Sequence, residues 1–115
     1  MKKSIVQTPT FKREVGGFLK KRLLLDDDFE EFQKVLIQNP EMGDIIVGTG
    51  GVRKARLKSA SRGKSSGFRV CYYYVTKKYE IVLLMIYAKN TKADLNPVDK
   101  KMLKEIAKLM EEDEQ

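Results

Sequence analysis

Two neighbouring runs, FRVCYYYV at residues 68–75 and YEIVLLMIYAK at 79–89, constrain this chain more than any other feature. Both are built largely from β-branched and aromatic side chains, which suit a pleated, half-buried surface. The second is apolar on both faces, the pattern of a central strand. Thr76-Lys77-Lys78 leaves room only for a turn between them. The spacing therefore predicts two adjacent antiparallel strands around which the remainder must pack.

The flanking segments supply that remainder. Residues 52–58 alternate, with Lys54, Arg56 and Lys58 pointing one way and Ala55 and Leu57 the other, predicting a third strand. Residues 59–67, SASRGKSSG, form its hairpin loop to the next strand. A short first strand is expected at 4–7, ended by Pro9. Helical spacing of Phe11, Val15, Phe18 and Leu19 predicts a helix over 11–21, weakened by Gly16-Gly17. A second helix is expected over 26–38, with three aspartates at the positive end of its dipole and Asn39-Pro40 as its stop. Residues 43–51 read as a Gly-rich connector around a short apolar piece. The last helix opens at Asn96-Pro97-Val98-Asp99, an N-cap, a first-turn Pro and a dipole-compensating Asp, and ends in a polar tail at 111–115. The expected fold is α+β over one domain, residues 1–115. It has the order β-α-α-β-β-β-α, with helices on one face of a small antiparallel sheet and the other face open to solvent or a partner.

Charge narrows the partner. The chain carries 23 Lys and Arg against 16 Asp and Glu, a net +7, which favours an anionic partner, nucleic acid first. Between residues 45 and 79 there are nine basic residues and no acidic one. Unrelieved like charge repels itself, so this run reads as an anion-binding surface rather than a merely solvated one. Absences exclude other chemistry. Without His there is no His-based triad or HExxH site, and a lone Cys71 adds no structural zinc site. No Walker or GxGxxG loop follows a strand, so no nucleotide cofactor is expected. No apolar run approaches the ~18–20 residues of a membrane span, and MKKSIVQTPTF lacks a secretory apolar core. With one cysteine, a reducing cytoplasm is the expected location.

Strand alternation gathers the basic run. Lys54 and Arg56 share a face of their strand, Arg69, Cys71 and Tyr73 a face of the next, and Met85, Tyr87 and Lys89 a face of the third. If those faces coincide, one side of the sheet carries cations and phenols, with Arg62 and Lys64 overhanging on the loop; a one-residue slip inverts the assignment. Tyr72 and Tyr74 are then core, and Cys71 is a small buried hydrophobe. Gly63 and Gly67 read as turn residues and Asp94 as local turn chemistry.

The segments GDIIVGTGGVRKARL, FRVCYYYV and LLMIYAKNTKADL, in this order and followed by a capped helix, resemble HigB-type toxins of the RelE/ParE toxin–antitoxin superfamily. The resemblance covers roughly residues 43–110. It implies a ribosome-dependent endoribonuclease that cuts mRNA in the ribosomal A site, with an active site of Arg, Lys and Tyr on a sheet face. Carried onto this sequence, the implied catalytic residues are Lys54, Arg56, Arg69, Tyr87 and Lys89. Arg53, Lys58, Arg62, Lys64 and Tyr73 are the expected RNA or ribosome contacts. The implied partners are the 70S ribosome, mRNA and a cognate antitoxin, helix-turn-helix and HigA-like, with no membrane. Some relatives use His, which this chain lacks, so the general base and acid are left open.

The chemistry is compatible with these residue types. Cleavage through the RNA's own 2′-OH needs a proton acceptor, cations for the phosphorane and an acid for the 5′ oxygen. Arg serves as a permanent clamp, and like charge lowers the proton affinity of a clustered lysine. Carboxylates do not crowd the basic run, as a two-metal nuclease requires. Two rival readings share the scaffold: a non-catalytic ParE-like inhibitor of DNA gyrase, and a plain RNA-binding module.

Overall fold

The computed structural model describes residues 2–59 and 67–114. Its elements run β1 (Ser4–Gln7), α1 (Pro9–Lys20), α2 (Asp26–Gln38), β2 (Asp44–Ile45), β3 (Arg53–Leu57), β4 (Phe68–Val75), β5 (Glu80–Ala88) and α3 (Pro97–Glu114). The α+β class and the element order are as the sequence indicates, with the two-residue β2 added inside the Gly-rich connector. Strand order across the sheet is β1-β5-β4-β3-β2. The two apolar runs are therefore interior strands, each flanked on both sides.

Local signals set the helix ends. Thr8 caps α1: its Oγ1 accepts the Phe11 N–H at 3.2 Å and donates to the Leu83 carbonyl at 3.0 Å, tying the helix start to β5. Pro9 occupies the first turn, and the helix continues through Gly16-Gly17 to Lys20. Asp26, Asp27 and Asp28 fill the first turn of α2. At α3, Asn96 Oδ1 accepts the Asp99 N–H at 2.8 Å, and Asp99 Oδ2 accepts the Asn96 N–H at 3.0 Å. This reciprocal arrangement satisfies two free helix-start donors.

Two features of the sheet depart from the sequence-based expectation. First, the sheet is mixed: β1 runs parallel to β5, with Ser4 opposite Glu80 and Gln7 opposite Leu83, while the other pairs are antiparallel. Second, the helices are not all on one face. α1 and α2 bury Phe11, Val15, Phe29, Phe32 and Leu36 against Leu57, Phe68, Val70, Tyr72 and Leu83. α3 lays Leu103, Ile106, Ala107 and Met110 over the opposite face, against Cys71, Tyr73, Val75, Val82, Leu84 and Met85. The reason is area: a strand apolar on both faces leaves a second apolar surface, and α3 carries the apolar stripe to cover it.

A bulge fixes which side chains share that second face. Cys71 pairs with Met85 but Tyr72 pairs with Leu83, so Leu84 is an extra residue in β5. Leu84 and Met85 both face α3, while Leu83 and Ile86 both face α1 and α2.

Tyr72 ties the chain after α2 to the sheet. Its hydroxyl donates to the Pro40 carbonyl at 2.7 Å and accepts the Gly43 N–H at 2.9 Å, and burial pushes the phenol above its usual pKa. A Cβ on Gly43 would lie 2.9 Å from the Lys54 carbonyl oxygen, so only glycine fits that approach. Tyr72→Phe leaves both buried partners unsatisfied and should destabilise the fold by about 1–3 kcal/mol. A denaturation midpoint within error of the parent would show that water replaces the hydroxyl.

Candidate nucleic-acid interface

Register assembles the cationic side chains in rows across the sheet. Arg56 lies opposite Arg69, and Arg69 opposite Tyr87, giving one row on the face that α3 partly covers. The adjacent row is Lys54, Cys71 and Met85. Side chains directly opposite one another on a face stand about 4.5–5.5 Å apart at Cβ. Lys89 follows β5, its N–H on the Gly67 carbonyl at 3.0 Å extending the β4–β5 pairing by one residue. A Cβ on Gly67 would meet the Leu57 carbonyl oxygen at 2.8 Å, so glycine is needed where the hairpin closes.

Arg56 is exposed at the sheet edge. Arg69 is half-buried, with one guanidinium N–H donating to the Phe68 carbonyl at 3.2 Å. Tyr87 is 6% exposed, and its hydroxyl has no hydrogen-bond partner among the described residues. Burial, aided by Cys71 and Asp94 and opposed by Arg69, pushes this phenol up to about 12. Tyr87 is thus a protonated donor at neutral pH, next to a guanidinium. Cys71 beneath the row is fully buried, and burial likewise pushes its thiol up to about 12, so it acts as an inert small hydrophobe.

Lys54 is not a bare lysine among arginines. Its Nζ lies 3.2 Å from Asp94 Oδ1, which also accepts the Leu95 N–H at 2.8 Å. The local turn expected at Asp94 is present, but the same carboxylate reaches the cationic face. Forty residues separate the two in sequence, and no spacing or motif announces the pair. Lys89 Nζ donates to the Ala93 carbonyl in the same connector.

The expected contact residues are dispersed. Arg53 points away from the row: its guanidinium donates to the Gly43 carbonyl at 2.8 Å and the Glu41 carbonyl at 3.2 Å. Tyr73 shares the face of Arg69 but lies under the C-terminal part of α3, its hydroxyl donating to Glu111 Oε1 at 3.2 Å. Lys58 is exposed and, with Arg56, borders a cavity of about 310 Å³ whose other wall is Glu31, Phe32 and Val35 of α2. Arg62 and Lys64 lie outside the described residues. Among the described residues no cluster of three or more Asp, Glu, Cys or His is placed to hold a metal ion.

In fold the chain is similar to a solved structure of the E. coli toxin RelE, a double arginine-to-alanine mutant in the free state. The two share 15% sequence identity with a TM-score of 0.53, over 81% of this chain and 90% of that one. A family model described as "RelE toxin of RelE / RelB toxin-antitoxin system" matches residues 5–115. With that match spanning nearly its whole length, the chain belongs to the RelE toxin family.

Proposed function

We propose that this RelE-family toxin is a HigB-like mRNA endoribonuclease, acting in the cytoplasm on messages held in the ribosomal A site and neutralised by a helix-turn-helix, HigA-like antitoxin. The observation that carries the reading is the row Arg56–Arg69–Tyr87, with Lys54 one row away and Lys89 beyond β5. Two guanidiniums, two ammoniums and a buried phenol without a partner among the described residues start from neighbouring strand positions, the kinds of donor a transferring phosphate needs.

Each group has a distinct task. Arg69 and Arg56 clamp the non-bridging oxygens of the phosphate as the 2′-OH gives its proton to water, its oxygen attacks, and the P–O5′ bond breaks with the 5′-oxygen taking a proton from water. Tyr87, protonated at neutral pH, donates its O–H to the charge that develops there. Lys54 and Lys89 neutralise the neighbouring backbone phosphates. Lys54 sits paired with Asp94, so the ribosome's alignment of the 2′-OH, rather than a strong protein base, carries much of the acceleration.

Expression without an antitoxin should arrest translation and leave new mRNA 5′ ends inside reading frames at the A-site position, read by primer extension. Continued translation together with loss of gyrase supercoiling would transfer the assignment to the ParE-like inhibitor. Continued translation with intact gyrase and RNA bound but uncut would leave the RNA-binding module.

A further inference from the structure

Two of the five proposed catalytic side chains, Lys54 and Lys89, are engaged by the connector between β5 and α3 in the free protein. Asp94 offers its carboxylate to Lys54, and Ala93, the preceding residue, offers its carbonyl to Lys89. Successive residues thus present two oxygens to two lysines, as the non-bridging oxygens of a phosphodiester would.

The connector is built to hold those oxygens in place. The Thr91 N–H and Oγ1 and the Lys92 N–H all donate to the Ala88 carbonyl, at 3.2, 3.1 and 3.0 Å. Lys92 Nζ lies 2.6 Å from Asp99 Oδ2, inside the capping arrangement of α3. The Leu95 N–H fixes Asp94 Oδ1. The carboxylate is therefore set by backbone geometry rather than by the reach of a long side chain. The pair nevertheless sits at the solvent boundary, with Asp94 68% and Lys54 29% exposed, where an ion pair is weak enough to be exchanged. The Leu95 N–H and then Lys54 hold the Asp94 carboxyl below its usual range, so it is ionised at neutral pH.

We infer that Asp94 is an affinity-setting residue: it is a built-in counter-anion at Lys54 that an RNA phosphate must displace to bind. The inference rests on the cationic row being the RNA site. Displacement leaves Asp94 unneutralised beside the incoming phosphate, so loose RNA with few other contacts is held poorly. A message locked in the ribosome loses affinity by the same factor, but its many further contacts keep the site filled. Asp94 thereby empties the site of loose RNA while ribosome-bound message still occupies it.

The test is binding of a short fluorescein-labelled single-stranded RNA, without ribosomes, followed by anisotropy between about 50 and 200 mM salt. Asp94→Asn keeps an acceptor for the Leu95 N–H and should bind about 3–5-fold tighter than the parent. Its plot of log K against log salt should steepen by about 0.7, because one more neutralised phosphate now gives net counterion release. Lys54→Ala should weaken binding, and adding Asp94→Asn to it should restore nothing. If Lys54→Ala leaves RNA binding unchanged, the assignment of the RNA site fails. If Lys54→Ala weakens binding but Asp94→Asn does not strengthen it, the site stands and the counter-anion role fails. A gain from Asp94→Asn that persists without Lys54 would also overturn the inference, as a general charge effect.

Discussion

Arg69→Ala should lower mRNA cleavage on programmed ribosomes by about 10²–10³-fold, the usual loss when one preorganised donor to a developing oxyanion is removed. The fold should be nearly indifferent to the change. Arg69 lies directly opposite Arg56, and like charges facing each other across a strand pair are destabilising, so truncation relieves repulsion. Among the described residues, the hydrogen bond lost is the one to the Phe68 carbonyl. The circular dichroism spectrum and melting point should stay close to those of the parent. Arg69→Lys should not restore activity, since a single ammonium cannot reproduce the planar fork that grips two phosphate oxygens. If Arg69→Ala instead melts the protein, Arg69 is a structural residue and the row is not a catalytic clamp.

The parts of this structure that local physics decides were legible in the chain. β1, α2 and β4 begin and end where composition and stop signals place them, at Pro9, Asn39-Pro40 and the Gly67 and Thr76 flanks. The Asn96–Asp99 cap was visible for the same reason, being a four-residue contact. The row Arg56–Arg69–Tyr87 follows from period-two alternation and a hairpin, both short-range rules.

What escaped was settled at long range. β1 finds β5 across two helices and three strands, and nothing in either strand announces a parallel partner. β2 is two residues long and carries no periodicity. α3 has an apolar stripe that fits either face of a sheet; the choice follows from β5 being apolar on both faces, with α1 and α2 already filling one. That choice also covers Tyr73, which alternation correctly put beside Arg69 but could not show to lie beneath a helix. The Leu84 bulge and the Lys54–Asp94 pair have no sequence signature, because each depends on register reached only after folding.

The largest expected effect belongs to the substrate rather than to the protein. Among the described residues no carboxylate cluster is placed to hold the metal ions that a water-activating nuclease uses, and the row offers cations and a phenol. The nucleophile on this account is the 2′-OH of the message. Replacing the ribose before the cut with 2′-deoxyribose, on an otherwise unchanged mRNA in programmed ribosomes, should abolish cleavage while toxin binding is retained. The unmodified message should yield a 2′,3′-cyclic or 3′-phosphate and a 5′-OH. Cleavage of the deoxy-substituted message at the same position, leaving a 5′-phosphate, would contradict the account at its centre.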